Sequence, residues 1–224
     1  MPPLSRKPLI KRLLFALLIA GSVAFMVFYW FFMWRARVPT GSMMNTIIPG
    51  DRVVILKTFG QIERGSIVLF QFPTGAEFAP QSERYLGRVV GLPGEMIQIR
   101  GSVIYINDHP LDELRVMATE GADILDPLIE VSTEGNGPYR VFYTEHPKDP
   151  EAETGGEFGT NHPFQIPNNS FFLLGDNRDN SRDSRYRGPV PRDLIWGELS
   201  IIYYSEAETP DQGIRWERIG KKVR

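Results

Sequence analysis

Apolar residues follow two regimes along the chain. From Leu13 to Trp34 there are 22 residues without a charge, LLFALLIAGSVAFMVFYWFFMW. At the α-helical rise this run is roughly 33 Å long, about the thickness of a bilayer's hydrocarbon core. A soluble helix of that length would carry polar positions. A cleaved signal peptide has a shorter apolar core, about 7–15 residues, followed by small residues. Here the run ends in Tyr29, Trp30, Phe31, Phe32 and Trp34, which suit the membrane–water interface. The pattern predicts a retained transmembrane helix over 13–34. Arg6, Lys7, Lys11 and Arg12 precede it and Arg35 and Arg37 follow it. That bias places residues 1–12 in the cytoplasm and the bulk of the chain on the outer side.

Beyond Asp51 the period shortens. β-branched and aromatic runs at 52–57, 66–72, 85–90, 96–100, 102–107, 170–174 and 197–204 predict strands. Gly50-Asp51, Gly60, Gly65, Pro93-Gly94, Gly101 and Asn107-Asp108 punctuate them. No long stretch after residue 35 shows helical periodicity, and Asp193–Trp196 reads as a short turn or helical piece. Residues 109–165 differ in character, with 12 acidic and 3 basic residues, and 147–156 reads as an exposed loop. The expected architecture is mainly β. A single transmembrane helix precedes an antiparallel β core built from 35–108 and 166–224. Residues 109–165 form an acidic, hairpin-rich inserted subdomain whose charge serves solubility.

Composition narrows the chemistry. A length of 224 residues suits one anchored domain, and 42% hydrophobic content supports a core. A net charge of −2 without a basic tract argues against nucleic acid. There is no cysteine, so disulfides, thiolate metal sites and a cysteine nucleophile are excluded. His109, His146 and His162 lack metal-ligand spacing and read as solvated loop residues. No metal and no organic cofactor are expected.

Three segments carry candidate chemistry. In Val38-Pro-Thr-Gly-Ser-Met-Met44, Ser42 sits in a tight turn just after the apolar run. A serine hydroxyl needs a base within hydrogen-bond reach and donors aimed at the developing oxyanion. The Ser42 N–H and the Thr40 hydroxyl are candidate donors. Gly175-Asp-Asn-Arg-Asp-Asn-Ser-Arg-Asp-Ser-Arg185 follows an apolar strand with an unusual density of charge. Asx-type turn bonds account for Asp176 and Asn177. Asp183 and Arg185 can pair and fix the loop, and Ser181 can orient a catalytic group. Tyr85–Glu95 reads as a strand ending in a Pro-Gly turn, able to bring one side chain beside Ser42.

In their order behind an N-terminal anchor, these segments resemble bacterial type I signal peptidases, the leader peptidase family. Pro39–Met44 is similar to the family's nucleophile box, Arg88–Glu95 to the box after its general base, and Gly175–Arg185 to its last box. Ile214–Gly220 is similar to its closing stretch. The resemblance implies Ser42 as nucleophile and Thr40 as an oxyanion donor. It also implies Ser181 orienting the base, with Asp183 and Arg185 as a supporting ion pair and Asp176 in support. It implies a serine endopeptidase in the bacterial inner membrane whose catalytic domain is periplasmic or extracellular. Its partners would be preprotein signal peptides, cut after small residues at −1 and −3, and membrane lipid.

The chain departs from that pattern at one chemical position. The resemblance implies a lysine base immediately before Arg88, and this chain has Gly87. A buried lysine works there because desolvation frees its amine, whereas glycine has no acceptor and arginine stays protonated. Three readings of Gly87 stand. Another lysine, Lys57 being the nearest in sequence, reaches the site. Alternatively, the chain is a pseudoenzyme that binds signal peptides or a membrane partner without efficient cleavage. Or the position was altered to trap substrate. Asn45, where the family usually has proline, is a second departure that bears on turn stiffness alone.

Overall fold

The computed structural model describes residues 7–44, 46–57, 60–73, 83–118, 131–135, 137–144, 156–160, 162–207 and 213–223. Asn45, His146 and most of the loop expected at 147–156 lie outside them. The chain forms two compact units, Met1–Trp34 and Arg35–Arg224.

Helix α1 covers Lys7–Phe32. The predicted span therefore starts inside a longer helix, and its last two residues, Met33 and Trp34, instead open strand β1 (Met33–Arg37). Side chains of α1 are described from Lys11 to Met26 and are exposed, among them Leu14, Phe15, Leu18 and Phe25. That stretch includes two charges and falls short of the roughly 20 apolar residues a hydrocarbon core requires. Among the described residues, no helix is long and apolar enough to cross a membrane.

The second unit is built from strands, in agreement with the period-2 pattern. Strands β2 (Asp51–Leu56), β3 (Ile67–Phe70), β4 (Tyr85–Gly91), β12 (Ser170–Leu174), β13 (Val190–Pro191) and β14 (Ile195–Ser205) join β1 in a seven-stranded sheet. Its order is β1-β2-β14-β3-β4-β12-β13. The pairings of β14 with β2 and β3, of β3 with β4 and of β4 with β12 are antiparallel. A four-stranded sheet contains β5 (Met96–Arg100), β6 (Val103–Ile106), β7 (His109–Pro110) and β11 (Phe164–Gln165).

Alternation along β4 and β12 explains where the core sits. Successive side chains point to opposite faces. Val89, Phe171 and Leu173 enter one cluster with Val68, Phe70 and Ile195. Val90, Phe172 and Leu174 enter another with Ile97, Ile104 and Ile166. Strands covered on both faces read as unbroken apolar runs, as Phe171–Leu174 does.

The insertion differs from the expected hairpins. In its three-stranded sheet, β8 (Leu114–Ala118) pairs antiparallel with β9 (Val131–Glu134) but parallel with β10 (Arg140–Thr144). Parallel neighbours cannot be joined by a tight turn, and β8 and β10 are well separated in sequence. Two short strands within 109–165, β7 and β11, pair with β6 and β5. Beyond β12, a 3-10 turn at Arg178–Asn180 and a one-turn helix α2 (Ser184–Arg187) shape the charged loop.

Candidate active site

Thr40, Ser42, Gly87, Ser181 and Asp183 line one cavity of about 260 Å³. The folded chain thus brings together segments from three distant stretches of sequence. The Ser42 turn is held from both sides. Within it, the Met44 N–H donates to the Gly41 carbonyl at 3.0 Å. From the charged loop, the Asn177 N–H donates to the Ser42 carbonyl at 3.0 Å and the Asn177 side-chain amide to the Gly41 carbonyl at 3.1 Å. The exit of the turn is tied to the C-terminal stretch. Arg218 Nε donates to buried Asp51 at 3.0 Å, and Arg215 donates to the Pro49 carbonyl at 2.6 Å. The Ser42 hydroxyl lies 3.3 Å from the Thr40 hydroxyl. Among the described residues that is its one hydrogen-bond partner, and the Ser42 N–H makes no hydrogen bond.

Gly175 explains how the loop approaches so closely. A Cβ there would stand 2.3 Å from Ser181 Oγ and 2.6 Å from the Ser42 carbonyl oxygen, distances that only glycine avoids. The loop itself is fixed by Asp183. Its carboxylate accepts from Arg185 Nε at 2.8 Å, from Arg185 Nη2 at 3.0 Å and from the Gly175 N–H at 3.0 Å. Both side chains are buried. Burial alone would lower the pKa of Arg185, and the Asp183 carboxylate more than offsets it, so the group stays a cation.

Two further buried ion pairs support the same loop. Asp176 takes a bidentate contact from Arg88, 2.7 Å at both oxygens, with both side chains fully excluded from solvent. The Thr46 hydroxyl donates to the same carboxylate. Arg178 donates to Glu113 through both terminal nitrogens and to the Gly175 carbonyl through Nε at 3.0 Å. Burial opposes charge at Arg178, and Glu113 reverses that, holding its pKa well above the ordinary arginine value. Tyr139 links the pairs. Its ring lies 4.1 Å beneath the Arg88 guanidinium, and its hydroxyl donates to Glu113 at 3.0 Å. Burial, then the Glu113 charge, pushes the Tyr139 phenol far above its usual range. Strand β10 also joins in, its Phe142 N–H donating to the Asp176 carbonyl at 2.8 Å.

Glu113, Tyr139 and Tyr143, whose hydroxyl accepts from Arg178 at 3.1 Å, were not anticipated. Glu113 is one acidic residue among many in its segment, with no spacing to set it apart. Arg88 did carry a signal, since a cation in an apolar strand requires a buried partner. Its Asp176 contact lies 88 residues away in sequence.

The Gly87 side of the cavity is different. Gly87 is buried on β4 opposite Val68 of β3. A Cβ at this position would sit 3.1 Å from Phe70 Cε1, 3.5 Å from Leu173 Cβ and 3.5 Å from the Leu174 carbonyl oxygen. Phe70, Phe72, Tyr85 and Leu86 complete that wall, with Arg182 and Arg187 as the cavity's cations. Lys57 is half-buried just beyond the end of β2 and is not among the lining residues. His109 and His162 are exposed. Among the described residues no cluster could hold a metal ion.

Residues 6–204 match the signal peptidase, peptidase S26 family. This chain belongs to that family. A signal peptidase I from Rickettsia typhi is 33% identical over 198 residues, covering 75% of this chain and 70% of that protein. A signal peptidase I from Leptolyngbya laminosa is 31% identical over 173 residues, covering 75% and 66%. A crystal structure of a signal peptidase I from Enterococcus faecalis V583 matches 64% of this chain and all of that one, with 25% identity and a TM-score of 0.39. As a family member the chain is of serine peptidase type, and signal peptide removal is the activity its relatives' names carry.

Proposed function

We propose that this chain is a membrane-anchored serine endopeptidase of signal peptidase I type, acting on exported preproteins after small residues at −1 and −3. The observation that carries this is the convergence of Thr40, Ser42 and Ser181 on one cavity. Ser42 Oγ is the nucleophile. The Ser42 N–H and the Thr40 hydroxyl are the oxyanion donors, which is consistent with their lack of other partners among the described residues. Ser181 orients the base, and Asp176, Asp183 and Arg185 hold the loop. The peptide lies extended beside Ser42 and pairs with an exposed strand edge. The anchor is the uncharged run 13–34, supported by the exposure of Leu14, Phe15, Leu18 and Phe25 on α1. Exposed apolar side chains on every side of a helix mark a lipid or protein environment. The excess of positive charge before the run places the N-terminus in the cytoplasm and Ser42 on the outer side of a bacterial inner membrane.

Gly87 favours a second reading, in which the chain binds signal peptides and cleaves them poorly. Among the described residues no lysine or histidine lines the cavity, and the Asp183 carboxylate is committed to Arg185 and the Gly175 N–H. Incubating the detergent-solubilised chain with an Ala-X-Ala preprotein separates the two. Product that disappears in Ser42→Ala supports the peptidase. Saturable binding without product supports the binder, and neither product nor binding would overturn both.

A further inference from the structure

The two sides of the Ser42 cavity differ in polarity. Asn180, Ser181 and Asp183 form a polar side, while Phe70, Phe72, Tyr85 and Leu173 surround Gly87 on the other. The three rings make one cluster. Their centroids are 5.0 Å apart for Phe70 and Phe72, 5.2 Å for Phe72 and Tyr85 and 6.0 Å for Phe70 and Tyr85. Gly87 adds no side chain to this wall. The cavity's volume of about 260 Å³ exceeds the roughly 150 Å³ that lets an apolar cavity hold benzene.

The charges around this recess are already engaged. Asp183 pairs with Arg185, and Glu83 accepts from the Tyr85 hydroxyl at 2.8 Å. Arg187 lies 4.9 Å from both the Phe72 and Tyr85 rings, and it and Arg182 make further interactions within the chain. The recess therefore calls for no counter-charge from a ligand. What it offers is apolar surface, which gains from an apolar group and penalises an unpaired polar one. Covalent connectivity supplies such a group. When Ser42 Oγ bonds to a scissile carbonyl carbon, that carbon holds the −1 residue against the nucleophile, and its side chain enters the cavity that Ser42 lines. The polar side suits the peptide backbone, which leaves the Gly87 side for the −1 side chain.

We propose that Gly87 sets the substrate range at −1. The recess it leaves takes a branched or aromatic apolar side chain, that of valine, leucine or phenylalanine, in preference to alanine. This rests on the peptidase reading of Ser42 and widens its small-residue requirement at −1, leaving −3 unchanged. A side chain at position 87 would start from a Cβ 3.1 Å from Phe70 and 3.5 Å from Leu173, and so would grow within this wall. Any residue longer than alanine there occupies volume that the −1 side chain otherwise fills. The glycine that removes a proton acceptor also enlarges the subsite.

The test uses the full chain in detergent and preproteins identical except for Ala, Val, Leu or Phe at −1. Binding is measured in Ser42→Ala, where it reads without cleavage, and kcat/KM in the unaltered chain. Leucine or phenylalanine should bind about tenfold tighter than alanine, the low end of what one methylene gains in an apolar pocket, and kcat/KM should follow. Gly87→Met adds an unbranched apolar chain without an amine and should invert the order in favour of alanine. Gly87→Ala should reduce the preference without inverting it, and it reads the same effect if the methionine variant does not fold. Alanine preferred by the unaltered chain would overturn the subsite, and product from the alanine preprotein would leave the peptidase reading standing. A leucine preference unchanged in both Gly87 variants would also overturn it, since the pocket would then lie elsewhere. The expected binding order with no product from any preprotein would support the recess and remove the peptidase reading. No binding across the series would overturn both.

Discussion

The two walls of the Ser42 cavity are built to different standards. On the 175–185 side, three buried ion pairs, Arg88–Asp176, Arg178–Glu113 and Arg185–Asp183, fix one loop, and Tyr139 bridges two of them. On the Gly87 side, aromatic rings and backbone face the same space, and among the described residues no lysine or histidine lines it. Buried ion pairs are expensive to desolvate and are weak evidence for stability as such. Three around one loop are better understood as fixing its geometry, since each charge has a single arrangement that satisfies it. The two walls thus differ in kind, one fixed by paired charges and the other lined by rings and backbone.

The sharpest way to test that contrast is Gly87→Lys. Among the described residues the nearest contact of the new Cβ is the Phe70 ring edge at 3.1 Å, which must yield by a few tenths of an ångström. If the rest of the site is already organised, one side chain should raise preprotein cleavage on the order of 10²–10⁴-fold, read from initial rates. A gain of that size from a single substitution would show that the charged wall was waiting for a base and needed no other repair. No gain in a folded variant would show that the ion pairs hold the loop for another purpose.

The opposite wall is broken by removing one member of a pair. Asp176→Ala leaves Arg88 a cation without its carboxylate at a fully buried position, and Glu113→Ala does the same to Arg178. Each should cost about 3–5 kcal/mol in urea unfolding. Gly175→Ala acts on the seam between the walls. Its Cβ would meet Ser181 Oγ at 2.3 Å and the Ser42 carbonyl at 2.6 Å, so the loop must retreat from the nucleophile turn. A loss of about 2–3 kcal/mol is expected, near the upper part of the overpacking range. Gly87→Ala has ring carbon rather than backbone as its nearest contact and should lose less.

Much of this arrangement was legible in the residues, for physical reasons that also mark where legibility stops. Strands β4, β5, β6 and β12 match their sequence runs closely, because β-branched and aromatic positions bounded by glycine report a pleated, buried surface. The Asp183–Arg185 pair was readable because its partners are two residues apart. Strand β1 was not, since Phe31–Trp34 continues the apolar run and nothing polar intervenes before Arg35. The parallel pairing of β8 with β10 was hidden for another reason. Pairing direction depends on the path of the intervening chain, and the strand residues carry no mark of it. Glu113 was taken as part of a soluble acidic surface, yet it is 1% exposed and pairs with Arg178 65 residues on. Long-range electrostatic partners leave no periodic trace.

Tyr139 gives the finest cut through the charged wall, because it touches both ion pairs without belonging to either. Tyr139→Phe keeps the ring under Arg88 and removes only the donor to Glu113. Glu113 retains both Arg178 contacts, so the loss should be about 1.5 kcal/mol, the low end for a hydrogen bond to a charged group. The same residue sets a pH response. Burial raises the phenol's pKa in the folded state, and Tyr143 is raised by burial too, although Arg178 opposes it. A raised pKa means that the folded chain binds this proton more tightly than the unfolded one. The stabilisation is complete below the unfolded tyrosine value of about 10 and declines as pH rises beyond it. Urea midpoints taken from pH 8 to 11 should fall at the alkaline end, and Tyr139→Phe should flatten that fall from a lower starting point. An equally steep fall in the variant would mean that Tyr139 does not couple the two pairs, leaving Arg88–Asp176 and Arg178–Glu113 as independent supports of the loop.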